Sequence, residues 1–146
     1  MRPNVSEQLE GMCRILETSV APELVNGYTQ ETLRSLIANV RMLSRAWHQL
    51  LPFLHWDNTS MLGLLREVRA EADASLRERI DATLAQPPAD VADASAADER
   101  NDELRALLVD SLQCTPPLLA RITTHLSERA RRYPLRLTGA VPKHKR

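Results

Sequence analysis

Arg41, Arg45 and His48 stand three or four residues apart beside Trp47, the best candidate for a ligand patch in the sequence. On a helix they share one flank. Two guanidinium groups and an imidazole there would hold a phosphate or carboxylate, while the indole offers an apolar surface to the rest of a ligand. The competing reading pairs these arginines with glutamates of neighbouring helices, such as Glu17 or Glu67, in solvated ion pairs. His48 and His55 are the next candidates. Seven helical residues set their backbones about 10 Å apart, too far for one metal ion unless the chain bends at Pro52, and no carboxylate pattern supplies further ligands. Neither metal nor cofactor is expected. Trp47, Phe53 and Trp56 would wall an acyl or aromatic pocket or else belong to the core. The sequence has no nucleophile motif, no glycine-rich phosphate loop and no ExxH pattern, so no catalytic residue is assigned and the reading leans away from an enzyme.

The element that must position these groups is a helix over 29–54. Leu33, Leu36, Ile37, Val40, Leu43, Trp47, Leu50, Leu51 and Leu54 recur at helical spacing and fall in a sector about 140° wide. Thr29 is the expected N-cap, with Glu31 in the first turn. Pro52 lacks an N–H and crowds the preceding turn, so it must kink the helix near His48 or end its regular part there. Ala38, Met42, Ala46 and Phe53 occupy or border a second face. Their mixture of small and large apolar side chains predicts a second contact surface, against another helix of the chain or against the same helix of a second subunit.

Leucine and alanine dominate the 146 residues, glycine is scarce and no alternating strand pattern occurs, which predicts an all-α chain. Before the central helix, Val5, Leu9, Met12, Leu16 and Val20 form a stripe from about Asn4 onward, interrupted at Pro22 and stopped at Asn26-Gly27. After it, Asp57, Asn58, Thr59 or Ser60 would cap a third helix whose stripe runs from Met61 through Val68, Ala72 and Ile80 to Leu84. The Pro/Ala/Asp-rich stretch 86–98 reads as a flexible linker. Leu104, Leu107, Leu108 and Leu112 then mark a short fourth helix, and Thr115-Pro116 opens a fifth carrying Leu119, Ile122 and Leu126. The expected architecture is an antiparallel bundle of four to five helices, one domain over 1–133, closing with a helical hairpin. A basic, disordered tail over 134–146 follows it.

Formal net charge is zero, which argues against general nucleic-acid binding. Residues 71–110 nevertheless carry eleven acidic and four basic side chains, and residues 121–146 eight basic and one acidic. The two regions could attract each other, or the tail could meet an anionic partner. Cys13 and Cys114 lack CxxC spacing and suit buried thiols in a reducing compartment. Without an apolar leader or a membrane-length run, a cytoplasmic protein with no membrane association is expected.

The segment VAPELVNGYTQETLRSLIANVRML, from Val20 to Leu43, resembles a group of small uncharacterised bacterial helical proteins with a V-x-P-x-L helix end followed by a helix containing an Ala-Asn pair. Members of that group are often encoded beside kinases similar to aminoglycoside phosphotransferases and beside acyl-CoA dehydrogenases. The resemblance implies an accessory protein of such a pathway, with a neighbouring kinase or dehydrogenase as a protein partner, and defines no catalytic residues. The functional expectation is a non-catalytic interaction protein, a homodimer through Ala38, Met42, Ala46 and Phe53. The alternative is a binder of a small anionic or acyl-CoA-like ligand through Arg41, Arg45, Trp47 and His48.

Overall fold

The computed structural model describes residues 3–88 and 90–135. It is all-α, with five α-helices: α1 (Val5–Ile15), α2 (Gly27–Glu71), α3 (Ala74–Ala85), α4 (Ala94–Asp110) and α5 (Pro116–Arg132). No strand occurs among the described residues. The chain divides into two compact units, Met1–His48 with Pro134–Arg146, and Gln49–Tyr133, and α2 contributes to both.

The first unit is a helical hairpin. Asn4 opens α1 with a capping box, its side chain accepting from Glu7 N while the Glu7 carboxylate accepts from Asn4 N. Beyond Ile15 the chain widens into a π turn at Leu16–Val20 and tightens into a 3-10 turn at Ala21–Glu23, where Pro22 occupies a first-turn position that needs no N–H donor. Asn26, expected to stop the first helix, instead starts the second: its Oδ1 accepts from Tyr28 N and Thr29 N. Thr29, the expected cap, lies inside α2 and donates its hydroxyl to the Asn26 carbonyl. Ser6 meets Ser44, Cys13 meets the Ile37 carbonyl and Leu24 meets Gln30, so the two helices run antiparallel. Cys13, Leu33 and Ile37 form the small buried centre.

The largest departure from expectation is the length of α2. Its 45 residues continue through Pro52 and through the polar run Asp57-Asn58-Thr59-Ser60, neither of which ends it. Thr59 and Ser60 donate their hydroxyls to the carbonyls of His55 and Trp56, four residues back, and Asp57 and Asn58 find partners on other helices. A run of small polar residues signals a cap only when its side chains have no better partner. The break comes later, where Asp73 caps α3 by accepting from Leu76 N.

In the second unit, Arg69 pairs with Asp81, Arg79 with Asp110, and Glu71 and Glu67 with Thr115 and Arg121, which ties α2 to α3 and α5, and α3 to α4. Their apolar faces enclose Met61, Leu65, Val68, Ile80, Leu104 and Ile122. A second cluster joins Phe53 and Leu54 to Ala97. Ala97 belongs to the stretch expected to be a mobile linker. Asp93 accepts from Ser95 N and Ala96 N and starts α4 at Ala94, so the loop between helices is shorter than its composition predicts, and α4 correspondingly longer. Thr115-Pro116 opens α5 where expected, although the Thr115 hydroxyl donates to Glu71 instead of capping its own helix. The expected disordered tail lies, from residue 136 on, outside the described residues.

Candidate functional site

In the hairpin, Ser44 and Ile37 on α2 face Ser6 and Cys13 on α1. Counting 100° per residue from those positions separates two further sides with different chemistry.

On one side α2 forms the floor of a cleft of about 810 Å³. Leu33, Ile37, Ala38, Met42 and Ala46 supply its apolar surface, Arg34, Arg41 and Arg45 its cationic edge, and Glu17, Ala21 and Pro134 part of its walls. Arg41 is tied to Glu17 at 2.8 Å and lies 3.9 Å from Glu10, which raises the guanidinium further above its already high value. Arg34 pairs with Glu31 on its own helix. Arg45 has no hydrogen bond or ion pair among the described residues.

The opposite side of the hairpin is apolar and uncharged. Val5, Leu9 and Met12 on α1 span about 60°, as do Leu36, Val40, Leu43 and Trp47 on α2. Each strip lies about a quarter turn before the contacting positions of its own helix. Because the helices are antiparallel, both quarter turns open on the same side. The charged side chains of these helices, among them Glu10, Arg14, Arg34, Arg41 and Arg45, lie off it. Val5, Met12, Leu36, Leu43 and Trp47 remain open to solvent, from 40 % for Leu43 to 55 % for Met12. Trp47 is fixed in place by donating Nε1–H to Ser6 Oγ at 2.9 Å, while Ser6 donates to the Ser44 carbonyl. Cys13 is sealed beneath; burial, followed by the charge of Glu10, pushes its thiol above the usual range.

The structure thus regroups the residues singled out by sequence. Arg41 and Arg45 share a cleft with Ala38, Met42 and Ala46. Trp47 belongs to the apolar side, and the exposed His48 meets its ring edge at 6.2 Å. Phe53 is 6 % exposed and belongs to the core of the second unit, 5.4 Å from the Tyr133 ring and 5.9 Å from Trp56, so it is not part of the surface formed by Met42 and Ala46. The ring nitrogen Nε2 of His55 contacts the Val91 carbonyl at 2.8 Å.

One constellation in the second unit escaped sequence reading. Asp57 is fully buried. Its Oδ2 accepts from Arg129 Nε at 2.7 Å and Asn101 Nδ2 at 2.8 Å, and its Oδ1 faces His125 Nε2 at 3.0 Å, neither of that last pair having another partner among the described residues. Asn101 also donates to Asn58 Oδ1, and Asn58 donates to the Ala97 carbonyl. Burial, the strongest single influence, opposes ionisation of Asp57. Hydrogen bonding from His125, Asn101 and Arg129, with the charge of Arg129, outweighs it and holds the carboxyl below its ordinary value. Trp56 lies against the His125 ring at 5.5 Å, and the Arg132 guanidinium sits 4.3 Å above the Trp56 ring. An Asp–His pair can orient a general base, yet the Ser60 hydroxyl beside it is spent on the Trp56 carbonyl at 2.9 Å, and Asp57 has no path to solvent. The cluster joins α2, α4 and α5 by charge and hydrogen bonds. The relevant signal, an Asp-Asn pair on α2 with Asn101, His125 and Arg129 at helix-compatible positions, is visible only once those helices are adjacent.

No helix among the described residues is long and apolar enough to cross a membrane. No family model, curated protein or solved structure matches this chain.

Proposed function

We propose that the chain is a non-catalytic interaction protein that pairs with a second copy of itself through the uncharged side of the hairpin. The observation that carries this reading is the contiguous face of Val5, Met12, Leu36, Leu43 and Trp47, which no described residue covers. A two-helix layer with three buried residues at its centre is a poor core by itself, because a stable domain packs a second layer over each apolar face. Five large side chains with roughly 100 Å² apiece still open, together with their rim, bring a pair of copies to about 1,000 Å² or more, the size at which specific interfaces begin. A face without charge meets its own image without like-charge repulsion, and two antiparallel hairpins stacked in this way give a four-helix arrangement with both apolar strips enclosed.

Light scattering across a concentration series tests this. The wild-type chain is expected to be dimeric at micromolar concentration. Leu43→Glu sets two carboxylates on the symmetric face and should weaken association by about a hundredfold or more. Met42→Glu, one residue along but facing the cleft, should leave the dimer intact. A wild-type chain that stays monomeric at about 100 µM, a concentration well above the affinity of an interface of this size, or a Leu43→Glu variant that associates like wild type, would overturn the reading.

A further inference from the structure

The cleft on the other side of the hairpin is a second site with its own chemistry. We infer that it binds an amphipathic monoanion, a carboxylate carried on an apolar body. Its volume of about 810 Å³ falls in the range of small-molecule sites, roughly 300–1,000 Å³. The floor formed by Ile37, Met42 and Ala46 accepts an apolar body, and the polar groups, Gln30, Glu17 and the three arginines, line the rest of the cleft.

The head group follows from the charges. Arg34 pairs with Glu31, and Arg41 with Glu17 and, at 3.9 Å, with Glu10, so the cleft's glutamate is already committed to a partner. Of the three arginines only Arg45 brings to the lining a guanidinium without a partner among the described residues. A guanidinium stays charged at every physiological pH and offers two parallel N–H donors matched to the two oxygens of a carboxylate. The cleft therefore offers one guanidinium without an ion-pair partner among the described residues, beside an apolar surface. That selects a singly charged head over a dianion, and an amphiphile over a small hydrophilic anion.

Calorimetric titration with decanoate, below its micelle concentration, and with decanol as the uncharged control, tests the assignment. Wild-type protein is expected to bind decanoate more tightly than decanol. Arg45→Gln should lose about tenfold or more in decanoate affinity, the worth of one charge-assisted pair, and leave decanol binding within about twofold. Ala38→Trp, at an exposed position where a large ring is tolerated, should fill the cleft and weaken both ligands. The inference fails if decanoate does not bind at millimolar concentration, if Arg45→Gln binds decanoate as wild type does, or if Ala38→Trp leaves both affinities unchanged. Leu43→Glu, on the other side of the hairpin, should bind decanoate normally, which keeps this result separate from the outcome of the association experiment.

Discussion

Asp57→Ala is expected to cost about 3–5 kcal/mol of unfolding free energy, measured by urea denaturation, the effect of leaving buried charge without its counterpart. The carboxylate gathers Arg129, Asn101 and His125 at one point. Removing it leaves the Arg129 guanidinium, 22 % exposed at its side chain, beside an emptied polar cavity, and takes away the carboxylate that His125 Nε2 faces at 3.0 Å. Asp57→Asn keeps the shape but not the charge, and should fall between wild type and alanine. If Asp57→Ala costs less than about 1 kcal/mol, the scale of an ordinary hydrogen bond, the cluster contributes little to the fold.

The same carboxylate sets an acid limb on stability. Its folded pKa lies below the unfolded value, about 3.9 for an aspartate, so the unfolded chain binds the proton first as pH falls. The contribution of Asp57 is complete above that unfolded value and is lost progressively as pH drops through the folded one. The wild-type melting temperature should therefore hold above about pH 5 and fall below about pH 4. Asp81, lowered by its hydrogen bond to Arg69, titrates in the same direction, but its ion pair is exposed and adds little. In Asp57→Asn the acid slope should be shallower. An identical slope in the two proteins would show that the acid limb belongs to other groups.

Helix content was legible because apolar spacing reports it directly, and the start of α5 was legible because proline tolerates only a first-turn position. The polar run 57–60 misled for a physical reason. Asp, Asn, Thr and Ser are favoured caps because their side chains can take up free backbone N–H groups, and that preference lapses when the partner lies on another helix. For Asp57 and Asn58 those partners are 39 to 72 residues away in the chain. Of the two outcomes expected at Pro52, the helix does not end there: the proline forfeits one hydrogen bond, but flanking turns held by Phe53, Leu54, Asp57 and Asn58 on buried faces carry the helix across it. The arginine flank was read correctly as a charged one, and Arg41 proved to be held by Glu17, as the competing reading anticipated. That Arg45 differs from Arg41, and that Trp47 turns to the other side of the hairpin, depends on which direction α1 approaches from, and α2 alone does not encode it.

Leu65→Ala is expected to cost about 2–5 kcal/mol, the transfer term of a buried leucine plus the cavity it leaves. Leu65 has no exposed surface and belongs with Met61, Val68, Leu104, Leu108 and Ile122 to the main core. The loss should fall on the second unit and leave the hairpin's association constant unchanged at temperatures where the variant is folded. The hairpin has little comparable material: of its helical apolar residues only Cys13, Leu33, Ile37 and Ala46 are below a tenth exposed. Opening free energies measured by hydrogen exchange should accordingly be lower in α1 and residues 30–45 than around Leu65. Binding of a second copy then adds stability by mass action, so protection of α1 should rise with protein concentration while protection around Leu65 does not. If α1 amides are as protected as those of the main core at nanomolar protein, the hairpin is complete without a partner, and its uncharged face loses the physical reason to be covered. If their protection rises with concentration and Leu43→Glu abolishes the rise, the weak half of the fold is the half that associates.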